Sequence, residues 1–143
     1  MRQAIKLAKR AGKLGEVPVG CIITDGTGTI VGSGYNLCEA ENSALRHAEI
    51  IAIDEACLSL NSWRLTGCSL YVTLEPCPMC AGAIINSRIS NVYYGAADRQ
   101  LGACGGVINL FMERFGHYPR VYGGILGDEC SAMLSDFFKM LRN

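Results

Sequence analysis

Apolar positions in the first 14 residues recur every three to four residues, with lysines and arginines between them. The apolar set comprises Ala4, Ile5, Leu7, Ala8, Ala11 and Leu14. This period predicts an amphipathic helix that ends near Gly12 or Gly15. The simplest interpretation of its basic residues is a solvated face.

The pattern then changes to short runs of β-branched residues. Residues 17–24 and 29–34 are rich in Val, Ile and Thr, and the turn sequence Asp25-Gly26-Thr27-Gly28 joins them, which predicts a β-hairpin. A polar loop over residues 35–44 leads into an apolar-rich stretch that predicts a helix over about 44–60.

The rest of the chain continues to alternate between the two patterns. It predicts a buried strand over residues 69–74, a helix that runs to about Ser87, a strand over 91–94 closed by Gly95 and a loop over 96–106. A short helix over 107–114, an edge strand over 120–122 and a final amphipathic helix over 128–141 follow. Because strands alternate with helices after an opening hairpin, we expect an α/β fold in which helices cover both faces of a mixed sheet of about five strands.

Composition narrows the class of protein. The chain has 143 residues, of which 50% are hydrophobic and 18% charged, so we expect a single domain over residues 1–143 with a packed core. We also expect a cytoplasmic protein with no membrane partner, because no apolar run is as long as a membrane span and the first residues lack a signal-peptide core. The formal net charge of zero counts against a wide surface for nucleic acid.

Candidate chemistry is concentrated in two short segments. His47, Cys77 and Cys80 offer one imidazole and two thiolates, which is one ligand short of a closed tetrahedral zinc site. Glu49 follows His47 by two residues, and a carboxylate beside a metal with a free position is what activation of water requires. Two residues two apart can share a site only in the first turn of a helix, so the sequence predicts that two helix N-termini converge on the metal.

Each half of this pattern, taken alone, is compatible with a different kind of site. A Cys-x-x-Cys pair is often half of a structural zinc site or a redox dithiol. A structural site would need a fourth ligand, and His117 is far along the chain with no partner at ligand spacing. A redox motif would be expected after an N-terminal βαβ unit, whereas this pair follows the third predicted strand. The combination therefore favours a catalytic zinc site.

His47-Ala48-Glu49 together with Pro76-Cys77-x-x-Cys80 resembles the signature of the zinc-dependent cytidine and nucleobase deaminases. Similarity to the bacterial tRNA-specific adenosine deaminases extends over nearly the whole chain. It includes Val17-Pro18-Val19-Gly20, Tyr71-Val72-Thr73-Leu74-Glu75, Asn86-Ser87-Arg88-Ile89 and Leu134-Ser135-Asp136-Phe137-Phe138.

The resemblance implies a three-layer α/β/α cytidine-deaminase-like fold, one zinc ion per subunit and a homodimer. It implies hydrolytic conversion of adenosine to inosine at the wobble position of a tRNA anticodon loop, with Glu49 as the catalytic proton shuttle. Contacts to the substrate are expected from Asn36, Ala48 and Asp98, the last in a loop that borders the substrate entrance in the family.

The sequence departs from the family pattern near the expected RNA path. Residues Ser43-Ala44-Leu45-Arg46 replace a frequent Asp-Pro-Thr-Ala, and Leu37 and Gln100 stand where the family often has basic residues. Fewer positive charges weaken phosphate contacts, so deamination of a free base or nucleoside such as guanine, cytosine or adenine is the alternative. A non-catalytic, zinc-stabilised partner subunit is less favoured, because such a subunit has no need for Glu49.

Overall fold

Helices and strands alternate along the chain in the computed structural model, which describes residues 1–143. The elements are α1 (Arg2–Lys13), β1 (Gly20–Thr24), β2 (Ile30–Tyr35), α2 (Ala48–Leu60), β3 (Ser69–Leu74), α3 (Pro78–Ser87), β4 (Asn91–Ala96), β5 (Arg120–Tyr122) and α4 (Gly127–Arg142), with one 3₁₀ turn at Leu110–Met112.

The five strands form one mixed sheet in the order β2-β1-β3-β4-β5. β1 is antiparallel to β2 and to β3, with Cys21 opposite Val72, whereas β3, β4 and β5 run parallel. β2 and β3 therefore point the same way, and their carboxyl ends lie at the same edge of the sheet. This arrangement confirms the predicted α/β fold with a mixed five-stranded sheet.

The helices cover the two faces of the sheet in pairs. α1 and α4 contact each other on one face, and α2 and α3 contact each other on the opposite face. The main core lies under α2 and α3, where Leu70, Val72 and Val92 of the central strands pack with Ile84 and Ala52. Strands covered on both faces are rich in apolar residues, as β3 and β4 are in their central parts, Leu70-Tyr71-Val72 and Val92-Tyr93-Tyr94.

Two elements begin later in the structure than the sequence pattern predicts. β1 begins at Gly20 and not at residue 17, because Pro18 has no amide and Val19 N–H instead donates to Val17 C=O at 2.8 Å. The helix predicted from about residue 44 begins at Ala48. The residues before it form turns, in which Leu37 N–H donates to Arg46 C=O at 3.0 Å.

The prediction was also wrong in two places after α3. β4 continues through Gly95 to Ala96, because Glu75 N–H extends the parallel ladder by donating to Ala96 C=O at 2.8 Å. The helix predicted over 107–114 is only the 3₁₀ turn at Leu110–Met112, which Asn109 caps by accepting from Phe111 N–H. The edge strand at 120–122 was predicted correctly. None of the helices combines the length and apolar character needed to cross a bilayer.

Candidate active site

The first turn of α2 places His47 and Glu49 together. His47 is the N-cap residue with extended backbone, and Glu49 is the buried second residue of the helix. The Asn36 side-chain oxygen, just beyond β2, accepts from Ala48 N–H at 2.9 Å. This bond satisfies one of the amides that a helix start leaves free, and it fixes the start of α2 against the end of β2.

The first turn of α3 places the two cysteines at the same edge of the sheet. Cys77 is the N-cap residue, Pro78 occupies the first helical position, where its missing amide costs nothing, and Cys80 is buried one turn further on. The predicted convergence of two helix N-termini is confirmed, because the donor atoms of His47, Cys77 and Cys80 all lie within 4.8 Å of one another.

The spacing of these atoms fits a zinc ion. His47 Nδ1 lies 3.6 Å from Cys77 Sγ and 3.5 Å from Cys80 Sγ. A tetrahedral zinc ion with its usual bond lengths to sulfur and nitrogen separates two such ligands by about 3.6 Å. One imidazole and two thiolates are also a zinc-type donor set, so the residues present can hold this metal.

Hydrogen bonding within the cluster prepares a thiolate ligand. A hydrogen bond from Cys80, aided by one from His47, lowers the pKa of the Cys77 thiol to about 4. The same pairing with Cys77, together with burial, raises the pKa of Cys80 far above its usual range. The hydrogen bond with Cys77 also raises the pKa of His47. Cys77 is therefore a thiolate near neutral pH, and the thiolate is the form of cysteine that binds metal ions.

Glu49 is the carboxylate next to this cluster, and only 4% of the residue is exposed. Burial raises its pKa to about 7, against the opposing effects of its own backbone amide and of His47. A group whose pKa lies near the operating pH can both accept and donate a proton, as a proton shuttle must.

A cavity of about 770 Å³ opens from His47, Glu49 and Cys77 towards the surface, which is within the usual range for small-molecule sites. The segment that follows α1, Asn36 and the loop over 97–101 form part of its wall. α4 contributes an apolar side with Leu134, Phe137, Phe138 and Leu141.

Two of the three predicted substrate contacts line this cavity. Asn36 and Asp98 do so, and the Asp98 carboxylate also accepts from the amides of Gln100 and Leu101 at 2.9 and 3.2 Å. Ala48 is buried behind the wall, and its amide is already bonded to Asn36. The contact between Ala48 and a base stays a prediction, as do the roles of the other site residues.

The sequence alone did not point to several residues of the cavity. Glu16 and Glu75 are buried carboxylates that line it, and Phe137 and Phe138 line it where only packing was expected. A usable signal existed for Glu75, since an acidic residue directly follows a buried strand and directly precedes Pro76-Cys77.

Comparison with known proteins gives a family and a set of close relatives. Residues 1–96 match the model of the cytidine and deoxycytidylate deaminase zinc-binding region. A tRNA-specific adenosine deaminase of Bacillus subtilis (strain 168) is 50% identical over 143 residues, which is 99% of this chain and 88% of that protein.

Two solved structures extend the comparison. One comes from work on A-to-I editing by tRNA:A34 deaminases; it has a TM-score of 0.89 and 39% identity, and the match covers 93% of this chain and 96% of that one. A guanine deaminase from Bacillus subtilis has a TM-score of 0.64 and 31% identity, with 99% of this chain and 90% of that chain covered.

Proposed function

Because the chain belongs to the cytidine and deoxycytidylate deaminase family, and is a zinc-dependent hydrolytic deaminase, we propose that it converts adenosine to inosine at the wobble position of a tRNA anticodon. The observation that carries this proposal is the buried Glu49 beside three zinc-type ligands at the end of a cavity. The relative that is 50% identical, a tRNA-specific adenosine deaminase, supports the choice of substrate.

His47, Cys77 and Cys80 would hold the metal, which when bound supplies a Lewis acid that makes water nucleophilic near neutral pH. Glu49 then moves the protons. Its carboxylate takes one proton from the attacking water and delivers it to the ring nitrogen beside the reacting carbon, to which the water oxygen bonds. It then moves the second proton of that oxygen to the amino group, which leaves as ammonia when the C–N bond breaks. Adenosine and water thereby give inosine and ammonia.

Asn36 would orient the base through one end of its amide. Its oxygen accepts from Ala48 N–H, which turns that end towards α2, whereas its NH₂ group makes no hydrogen bond within the protein. The residue therefore offers donors, and it selects a base that presents an acceptor, such as a ring nitrogen, at that position. Asp98 lies on the loop that forms another part of the cavity wall.

The distribution of charge supports a phosphate backbone that lies outside the cavity. Five carboxylates and a single guanidinium, that of Arg99, are among the cavity-lining residues, so phosphates are disfavoured inside it. By contrast, α1 carries five of the thirteen basic residues and no acidic one. All five are exposed, and the segment that directly follows α1 lines the cavity.

These five residues form one stripe. At about 100° per residue they fall within an arc of about 100°, opposite the buried face of the helix. The stripe, called the α1 basic stripe below, consists of Arg2, Lys6, Lys9, Arg10 and Lys13. It offers phosphate contacts that compensate for the loss of basic residues at Leu37 and Gln100.

A free base or nucleoside is the second candidate substrate. The acidic lining of the cavity disfavours anionic ligands and is compatible with an uncharged base or nucleoside, and the guanine deaminase that is 31% identical shares the fold. We favour tRNA because of the α1 basic stripe and the higher identity of the tRNA deaminase relatives.

We further propose that residues 1–143 act as one deaminase domain in the cytoplasm, where tRNA is found, and that two copies form a homodimer. A surface groove between α2 and α3 supports the dimer. Five of its eight lining residues are apolar, and the exposed fraction of Trp63 is 57%. The apolar ones are Ile50, Ile53, Cys57, Trp63 and Ala83. Cell fractionation of the tagged chain tests the location.

The experiment that tests the substrate is a mass-spectrometric assay of the zinc-loaded protein. The substrates are an anticodon stem-loop with adenosine at the wobble position, the same stem-loop with guanosine there, and free adenine, adenosine, guanine and cytidine. We expect inosine in the first stem-loop only. Turnover of a free base or nucleoside with the stem-loop unchanged would establish the second candidate instead.

A further inference from the structure

Glu75 is a buried carboxylate that the proposed chemistry does not use. It lies between the end of β3 and Cys77, and 3% of it is exposed. Neither of the two ion pairs in the molecule involves it. A carboxylate removed from water without a basic partner is costly unless hydrogen bonds replace its solvation.

Three backbone amides of the loop after β4 supply these hydrogen bonds. Oε1 of Glu75 accepts from Asp98 N–H at 3.1 Å, and Oε2 accepts from Cys104 N–H at 3.0 Å and from Gly106 N–H at 2.9 Å. Bonds of this type to an ionised acceptor are stronger than those between neutral groups. A single side chain thus ties both ends of the loop to the segment that carries the metal ligands.

The loop is shaped to enclose this carboxylate. A Cβ added at Gly102 would lie 2.2 Å from Oε2 of Glu75, and one added at Gly106 would lie 2.9 Å from each carboxylate oxygen. The two glycines therefore let the backbone wrap around Glu75. Ala103 N–H adds a further bond to the C=O of Pro76 at 2.8 Å.

The loop that encloses Glu75 also forms part of the cavity wall, since residues 97–101 all line the cavity. We propose that Glu75 is a positioning residue for substrate binding: it holds the Asp98 loop at a fixed distance from His47 and Cys77, and so sets the affinity for the substrate. This proposal rests on the proposed function for the identity of the substrate. The loop carries neither Glu49 nor a metal ligand, so we expect its displacement to change substrate binding rather than the chemical step or the zinc content.

Glu75→Gln provides the test. Glutamine keeps the size but replaces one oxygen with an NH₂ group, which cannot accept and faces a backbone donor. We expect KM for the stem-loop to rise about tenfold, while kcat and the zinc content stay unchanged. Hydrogen exchange at the amides of Asp98, Cys104 and Gly106 should become faster. Glu113→Gln, an exposed acid outside the site, is the matched control.

Gly106→Ala tests the same contact from the loop side. Its added Cβ would press on Glu75 and on Asp98 C=O, so we expect the same rise in KM and the same faster exchange. Gly82→Ala is its control, because a Cβ there meets nothing within 4 Å.

An unchanged KM in Glu75→Gln, or a lost zinc ion in that variant, would overturn the proposal. If Glu75→Gln does not fold, an unchanged KM in Gly106→Ala would overturn it. Hydrogen exchange distinguishes failure of the positioning role of Glu75 from failure of the proposed function. If the wild-type chain does not deaminate the stem-loop, faster exchange at the three amides still supports the positioning role, and unchanged exchange rejects it.

Discussion

At the scale of single residues, Glu49 and Asn36 have separate proposed roles, since Glu49 transfers protons and Asn36 orients the base. Both are placed by the first turn of α2, Glu49 as its second residue and Asn36 through the bond to Ala48 N–H. Glu49 is not itself one of the three metal ligands, and the NH₂ group of Asn36 does not hold the start of α2, so each role can be removed separately.

Replacing Glu49 with Gln should abolish proton transfer and leave the metal ligands in place. We expect deamination to fall by about 10²- to 10⁴-fold while the zinc content stays at one ion per chain. Single-turnover rates and metal analysis measure the two quantities. Glu55→Gln, an exposed acid on the same helix, should retain full activity. Normal deamination by Glu49→Gln would remove this residue from the mechanism.

Asn36→Asp distinguishes the acceptor role of the Asn36 side chain, towards Ala48 N–H, from its proposed donor role towards the base. A carboxylate still accepts from Ala48 N–H, so α2 should keep its start, but the donors directed at the base are gone. We expect kcat/KM to fall on the order of tenfold, with zinc content and melting temperature unchanged. Asn42→Asp, in the exposed loop before α2, is the control. If Asn36→Asp bound and deaminated substrate like the wild type, Asn36 would have no donor role.

At the scale of elements, α1 combines a buried face with a basic one. Ala4, Ile5, Ala8 and Ala11 pack against the sheet, and the α1 basic stripe occupies the opposite face. From the sequence, a solvated face was the simplest interpretation of these charges. The position of α1 beside the cavity makes contact with phosphates the better interpretation, because the residues that follow the helix line the cavity.

The triple variant Lys6→Gln, Lys9→Gln and Lys13→Gln tests this interpretation. We expect weaker binding of a complete tRNA, and a plot of log affinity against log salt whose slope decreases by about 0.7 to 0.9 for each phosphate that the variant no longer binds. Turnover at saturating substrate should not change. Arg114→Gln removes an exposed charge outside α1 and serves as the control. An unaltered salt slope in the triple variant would mean that the stripe is only solvated.

At the scale of the whole molecule, the metal site joins separate parts of the fold. His47 precedes α2 and Cys77 precedes α3, so a bound ion links the two helices that cover one face of the sheet. A ligand that binds only the folded state stabilises it by mass action.

Removal of zinc with a chelator should therefore lower the melting temperature. Relative to the protein in saturating zinc, we expect a decrease on the order of 10 °C. Calorimetry of the metal-free and reloaded protein measures the change. Zinc should restore the original value and magnesium should not, because Mg²⁺ prefers oxygen ligands. Identical melting curves with and without zinc would show that the site does not hold the ion in the folded state.

The proposed homodimer belongs to the same scale. Trp63→Lys places a charge at the groove between α2 and α3, and we expect sedimentation analysis to show monomers at concentrations where the wild type is dimeric. Met140→Lys, at an exposed position on α4 outside both cavities, should leave the dimer intact. A dimer that persists in Trp63→Lys would place the interface elsewhere.

The metal ligands could be predicted because local geometry constrains them. Cys77 and Cys80 share one helical turn, and His47 and Glu49 can act together only at a helix start, so the spacing along the chain places each pair at the N-terminus of a helix. The meeting of the two pairs depends on the sheet that carries both helices. Long periodic segments such as α1 and β3 were predicted well because local geometry also constrains them. The start of α2 was misjudged by four residues, because the turns that precede it depend on hydrogen bonds between residues 37 and 46.

The sequence by itself therefore determined the fold class, the zinc-type donor set and the neighbouring carboxylate. Only the tertiary structure decided which residues form the cavity wall. Glu75 and the amides of Asp98, Cys104 and Gly106 are 23 to 31 residues apart along the chain, and parallel pairing of β3 with β4 brings them together. Asn36 and Ala48 meet in the same way, because β2 ends at the sheet edge where α2 begins. A pattern along the chain reports contacts within one helix or strand, whereas contacts between elements depend on how the whole sheet is assembled.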